Sequence, residues 1–271
     1  MEIASIAAVT IILMAAFLFS PLGLGGGFLY VPVFLYLLNW EIHLAILGSI
    51  TLVLVVSMGS RMAHSKGGYA IKEIANIGIP PAVVGVIFGT IVSSKIIIYL
   101  GDSAIKLTAM ILLIWVIVRT LKQLYLDETI IDGNIEIKDI EGIIANKYRI
   151  LCFSGGIMSG ALGIGGGMLF VTFHRTLFNW KPHYAAGTSY IIETWIVPVG
   201  IISHLVIDRS GPELIDTVGI WMIFIGLAVF FSSWLGAKTA IRAIPQELLT
   251  YPFLVAVILS LIRYFIDISG L

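Results

Sequence analysis

Two stretches of this 271-residue chain carry residues whose types and spacing could act together on a ligand: Gly23-Leu24-Gly25-Gly26-Gly27 and, 140 positions later, Gly163-Ile164-Gly165-Gly166-Gly167. Where a glycine run opens a helix, the first N–H groups have no acceptor inside that helix, and the helix dipole adds about half a positive charge. Such an end suits an anion, and glycine lets the anion approach the backbone without side-chain obstruction. Gly25, Gly26 and Gly27, with Gly165, Gly166 and Gly167, are therefore candidate anion-binding positions; the competing reading is that they only permit tight helix packing. About twenty residues after each run come hydroxyls, Ser49 and Thr51 in the first case and Thr188 and Ser189 in the second. These either donate to an oxyanion or hydrogen-bond a neighbouring backbone. Glu193 is the only carboxylate well inside an apolar stretch. An ionised carboxyl there is costly without a partner, which makes Glu193 the candidate for proton coupling, against the alternative of a neutral carboxyl bonded to a neighbouring helix.

The elements that must position these groups follow from composition and periodicity. The chain is 59% hydrophobic and 12% charged, with mean hydropathy +1.04 and zero net charge. A soluble domain carries about 25% charged residues, so this is an integral membrane protein whose partner is the lipid bilayer, and nothing in the charge balance points to nucleic acid. The likeness between the halves extends past the glycines at the same offset: Asn39-Trp40 with Asn179-Trp180, His43 with His183, Ser49 with Ser189, His64 with His204. This is a duplicated unit. Val53 stands at the position matching Glu193, so the carboxylate is not part of the repeated core. Apolar segments cover residues 3–22, 28–38, 42–63, 77–100 and 104–121, then 148–162, 168–178, 182–207, 214–240 and 247–266. Those directly after the glycine runs are too short to span a bilayer core of about 30 Å and read as half-helices beginning inside it. The expected fold is all-α and polytopic: two inverted repeats of five hydrophobic segments, with about eight full helices and two half-helices. The expected division is 1–121 for the first repeat, 122–147 for a polar cytoplasmic linker and 148–271 for the second repeat. If all ten segments alternate in direction, 12 of the 16 basic residues fall on the linker side, and if the half-helices do not cross the split is 10 to 6; the positive-inside rule prefers the first, with the linker side cytoplasmic and both termini outside.

Several smaller readings accompany this frame. The apolar N-terminal stretch is preceded by Met1-Glu2 rather than by basic residues, so it reads as a structural span and not a leader. The stripes Ala16-xxx-Ser20, Gly85-xxx-Gly89 and Gly156-xxx-Gly160 read as close-packing faces. Pro80-Pro81 should sit in a first helical turn, and Pro198 should kink its segment. Trp40 and Trp180 should belong to an aromatic belt, and His43, His64, His183 and His204 should be interfacial. The histidines form no metal-ligand cluster, no cofactor motif is present, and the lone Cys152 reads as a small core residue. A membrane-embedded enzyme would need a clustered nucleophile and base, which the chain does not offer.

With paired glycine runs opening two apolar halves, and the turns Gly48-Ser49 and Gly187-Thr188-Ser189 following each, nearly the whole chain outside the connector resembles the TauE/SafE family of sulfite and organosulfonate exporters. The resemblance implies a secondary transporter of a small anion, a sulfur oxyanion or organosulfonate such as sulfite or sulfoacetate, moved across the cytoplasmic membrane by alternating access. The alternatives are an anion channel or uniporter of the same fold and, from other classes, a membrane enzyme or an assembly protein with a packed midplane.

Overall fold

The structure is a computed structural model and describes residues 3–125, 142–243 and 246–270. Every element among these residues is helical: α1 (Ile3–Phe19, continued by a 3-10 turn over Ser20–Leu22), α2 (Gly27–Leu37), α3 (Ile42–Lys66), α4 (Lys72–Leu100), α5 (Asp102–Tyr125), α6 (Ile143–Leu162), α7 (Gly167–Phe178), α8 (Pro182–Ile207), α9 (Gly211–Val218), α10 (Trp221–Ala243) and α11 (Gln246–Ser269). Seven of them, α1, α3, α4, α5, α8, α10 and α11, are long and apolar enough to cross a membrane. The chain is thus a polytopic all-α membrane protein. α6, the counterpart of α1, has 20 residues but carries Lys147 and Arg149 and falls outside that set.

The glycine runs break the chain as expected. Gly26 and Gly166 hold φ of 82° and 81°, and Gly25 and Gly165 hold 66° and 78°, a region that disfavours any side chain. New helices of 11 and 12 residues start immediately after them. Asn39 and Asn179, at φ 54° and 52°, close both half-helices with the same left-handed turn, which asparagine tolerates better than most residues and which accounts for the duplicated Asn-Trp pair.

Each half-helix doubles back along the helix before it. Residues 37–40 beyond α2 share a cavity with Ala4 and Ser5 at the start of α1. In the second half, Phe178 at the end of α7 packs on Tyr148 near the start of α6, and Trp180 beyond α7 packs on His174, which is hydrogen-bonded to Tyr148. Tyr36 of α2 also donates to Asp267 near the end of α11, so the N-terminus and the C-terminus lie on one face. The ends of α5 and α6 that flank residues 126–141 lie on the other. Residues 126–141, which contain most of the expected linker, are outside the described residues.

The two halves interlock. α4 packs on α6 and α8 of the second half, and α10 packs on α1 and α3 of the first, while α3 and α8 cross at the centre. The small-residue stripes make these contacts possible. A Cβ on Gly156 or Gly160 would strike the carbonyls of Ala82 or Val86, and one on Gly85 or Gly89 those of Phe153 or Ile157. On the opposite flank Ser20 donates to the Ser233 carbonyl at 2.8 Å, and Ser232 to that of Leu13 at 2.8 Å.

Some expectations are corrected. α4 begins at Lys72, so Pro80 and Pro81 lie inside the helix and not in its first turn. α9 is an additional short helix preceding α10, and its polar Glu213 and Asp216 hid it from the apolar-segment reading. Trp180 is 1% exposed, stacked against Phe178 and His174, and is no belt residue; Trp40 stacks on Phe34 at 4.5 Å and lines the cavity. His64 and His204 are buried rather than interfacial.

Candidate functional site

The two glycine turns meet at the centre of the bundle. Gly27 abuts the backbone of Ile164, and Gly167 abuts the carbonyl of Gly23, so each turn fits into the other half's turn. The hydroxyls repeated at positions 49 and 189 hold this contact. Ser49 donates to the Gly163 carbonyl at 2.8 Å and also reaches that of Gly27 at 3.3 Å. Ser189 reaches the carbonyl of Gly23 at 3.5 Å and donates within its own helix to Ala186 at 2.9 Å. Both serines are fully buried and spend their hydrogens on backbone. Thr188 accepts from the Ile71 N–H at 3.1 Å, and Thr51 donates to the Leu47 carbonyl. Gly25 to Gly27 and Gly165 to Gly167 are likewise buried; a Cβ on Gly26 would meet the Tyr30 hydroxyl, and one on Gly166 the Phe170 ring.

Glu193 stands between the turns. A Cβ placed on Gly167 would fall on its Oε1, and one on Gly25 would lie 3.3 Å from its Oε2. One carboxyl oxygen therefore faces the first turn of α7 and the other faces the first glycine run. Oε2 accepts from the Ser57 hydroxyl at 2.6 Å, whereas Oε1 is buried with no hydrogen-bond partner. No cation lies within 4 Å of this carboxyl among the described residues. The side chain closest to the place argued for an external anion thus carries the protein's own anionic group. Val53, at the matching position of α3, fills the equivalent space against Gly25 and Gly165 with methyl groups.

Ser57 and Arg61 are additions that the sequence reading did not single out. Arg61 lies one turn beyond Ser57 on α3, and its guanidinium donates to Thr194 Oγ1 at 2.6 Å. The Ser57–Glu193 contact sets the antiparallel register and puts Arg61 level with Ser189. The guanidinium of this half-buried residue therefore reaches five residues, about 7.5 Å, back toward the midplane. It has no carboxylate within 4 Å among the described residues. The signal for it was present: a cation four residues from a buried serine, inside a 25-residue helix of mostly apolar residues. A cation directed inward in a membrane helix is costly, and such residues mark ion pathways.

Access differs between the two faces. On the face bearing the termini, a cavity of about 360 Å³ is lined by Phe34, Asn39, Trp40, Gly48 and Thr51 among others. Thr51 is the one sequence-predicted ligand residue that lines it. On the opposite face the matching region is filled. Tyr148 replaces Ala8 and His174 replaces Phe34, the two joined by a 2.8 Å hydrogen bond. Tyr69 closes over His183 and Tyr184, with ring centroids 5.1 and 5.2 Å apart, and its backbone packs on Gly187.

A family model described as Sulfite exporter TauE/SafE matches residues 8–264. Comparisons with curated proteins and with solved structures give no match. The matched span takes in both glycine turns, Arg61 and Glu193.

Gly167→Ala is expected to be destabilising by roughly 1–3 kcal/mol, because the new methyl has nowhere to go between Glu193 and the Gly23 carbonyl. Thermal melting of the purified protein checks this. Adding Glu193→Ala to Gly167→Ala should recover part of the loss, since one of the two obstructing groups is gone; a double variant no more stable than the single one contradicts the contact.

Proposed function

From the chain's membership of the TauE/SafE sulfite exporter family, we propose that it moves a small sulfur oxyanion or organosulfonate across the cytoplasmic membrane by alternating access, with proton coupling through Glu193. Membership itself gives a sulfur-anion exporter type of transporter. The observation that carries the finer reading is the carboxyl of Glu193 against the first turn of α7, with Oε1 unpartnered and no counter-cation within 4 Å among the described residues.

An anion at the glycine turns and an ionised Glu193 compete for the same electropositive helix end. Two negative charges in a low-dielectric centre repel strongly, so the anion enters when Glu193 is protonated. The proton then travels with the anion, and its release restores the carboxylate. Ser57 donates to Oε2 in the ionised form and can accept from the carboxylic acid in the protonated one, so one partner serves both states. Arg61 brings positive charge to Thr194, beside the centre, from a Cα one turn toward the closed side, so it can accompany an anion leaving in that direction. The cavity beside Thr51 is the approach from the other face. The alternation consists of closing that cavity while the Tyr69–His183 and Tyr148–His174 contacts part. Interlocked halves with matching parts support such an exchange, because each closed contact has a counterpart position in the other half.

In proteoliposomes the wild type should accumulate sulfite when a pH gradient is imposed. Glu193→Gln should retain exchange of labelled for unlabelled anion while losing gradient-driven accumulation. Gradient-driven accumulation by Glu193→Gln at the wild-type level contradicts the coupling role. Arg61→Gln should raise the half-saturating anion concentration about tenfold or more, as expected for a lost charge-assisted contact of about 1.5 kcal/mol or more; an unchanged value removes Arg61 from the pathway.

The arrangement that places 12 of 16 basic residues on the linker face also orients the protein, with linker inside, both termini outside and the open cavity facing outward. A tag at either terminus should be accessible on intact spheroplasts, and one inserted within 127–141 protected. A protected C-terminus overturns this orientation.

A further inference from the structure

Three tyrosines are completely buried among the described residues: Tyr30, Tyr148 and Tyr190. Two of them use their hydroxyls inside the protein. Tyr190 donates to the Ser20 carbonyl at 2.8 Å, and Tyr148 is hydrogen-bonded to His174 at 2.8 Å. The hydroxyl of Tyr30 has no partner. A hydroxyl taken out of water without a compensating hydrogen bond is costly, so its presence calls for a reason.

Packing is not that reason. The position matching Tyr30 in the second half is Phe170. Each ring covers the glycine four residues before it. A Cβ on Gly26 would lie 2.5 Å from the Tyr30 hydroxyl oxygen, and one on Gly166 would lie 2.6 Å from the Phe170 ring. A bare ring therefore fills this place at the start of α7, and the oxygen at the start of α2 is an addition.

The two helix ends also differ in what faces them. The Glu193 carboxyl stands against Gly167 at the start of α7, whereas Gly27, the matching residue of α2, meets the backbone of Ile164. Glu193 Oε2 stands by Gly25, before α2 begins, and accepts from Ser57. The N–H groups of Gly27 and Phe28 open α2 and have no backbone acceptor among the described residues. An unpartnered hydroxyl thus stands beside unpartnered amides, and all of them are donors. Their common need is an acceptor that the protein does not supply.

Tyr30 also stands on the cavity side of the turn. Residues four apart share a face of a helix, and Phe34, one turn along α2, lines the cavity together with Leu37 and Leu38. From the cavity inward the order on α2 is Leu38, Phe34, Tyr30 and then Gly26.

We infer that the hydroxyl of Tyr30 is a further ligand of the transported anion, donating one hydrogen bond to an oxyanion at the glycine turns. This rests on the reading of those turns as the anion site and adds a side chain to a site otherwise made of backbone. Tyr30 and the amides of Gly27 and Phe28 supply donors from the α2 side. Glu193 supplies, from the α7 side, the charge that a proton has to neutralise. Because the phenol donates a single hydrogen bond in a set direction, it orients one oxygen of the anion, which amides at a helix end alone do not.

The test is thermal melting of purified Tyr30→Phe beside the wild type, without anion and across a range of sulfite or methanesulfonate concentrations. Without anion the variant should melt no lower than the wild type, because the atom removed has no partner. A melting point several degrees lower gives the hydroxyl a structural bond and overturns the assignment. The half-saturating anion concentration should rise about tenfold or more in the variant, as for a lost hydrogen bond to a charged group. Equal values in the two proteins overturn the assignment of Tyr30 and leave the sulfur-anion reading standing. If neither anion stabilises the wild type, that reading fails, and this assignment with it.

Discussion

Everything at the centre of this protein is arranged around one carboxyl group held against a helix end. Glu193 reaches the first turn of α7 because Gly167 has no side chain, and the same bare position lets the carbonyl of Gly23 pack close against it. Ser49 and Ser189 fix the two turns to each other, and α3 and α8 cross behind them. Positive backbone ends cost little in water but are demanding in a membrane interior, where each exposed amide needs a partner. In the proposed reading the protein's own carboxylate stands where a transported anion would, close to these amides although its Oε1 accepts no hydrogen bond. Under the proposed function, their mutual exclusion would turn a static anion-binding motif into a coupled one.

The proposed function rests on departures from the repeat. Duplication supplies the frame: paired glycine turns, paired Asn-Trp stops, paired serines and interleaved fourth helices. The chemistry sits where the halves differ. Val53 and Glu193 occupy matching positions, one filling space and one carrying charge. Ala8 matches Tyr148, so one face keeps a cavity while the other is packed with aromatic rings. A perfectly symmetric pair of repeats would give equivalent states on the two faces; under the proposed alternating access, these substitutions would bias the exchange between them.

Much of this was legible in the sequence, and the reasons for the rest are physical. Glycine runs inside apolar stretches announce a broken helix, because few other residues hold φ near 80° at low cost, and the stripes at 85/89 and 156/160 announce backbone contact. What the sequence does not carry is direction. Periodicity places Ser49 on a helix but does not say that its hydroxyl will be taken by the Gly163 carbonyl of the other half. Arg61 counts as one more basic residue near a helix end until the register with α8 shows its guanidinium turned inward to Thr194. Trp180 looks interfacial because belts usually hold tryptophan, yet the filled second half buries it. α9 was missed because its hydrophobic face covers only eight residues.

The central claim is that the anion and the charge on Glu193 exclude one another, and proton uptake on binding tests it most directly. A simple alkanesulfonate does not titrate near neutrality, so any proton taken up when it binds belongs to the protein. Calorimetry of its binding at one pH, in buffers of different ionisation enthalpy, gives the number of protons per anion. The account predicts an uptake of close to one proton in the wild type and close to none in Glu193→Gln, with binding retained in the variant. Binding without proton uptake in the wild type, at a pH where Glu193 is ionised, would contradict it.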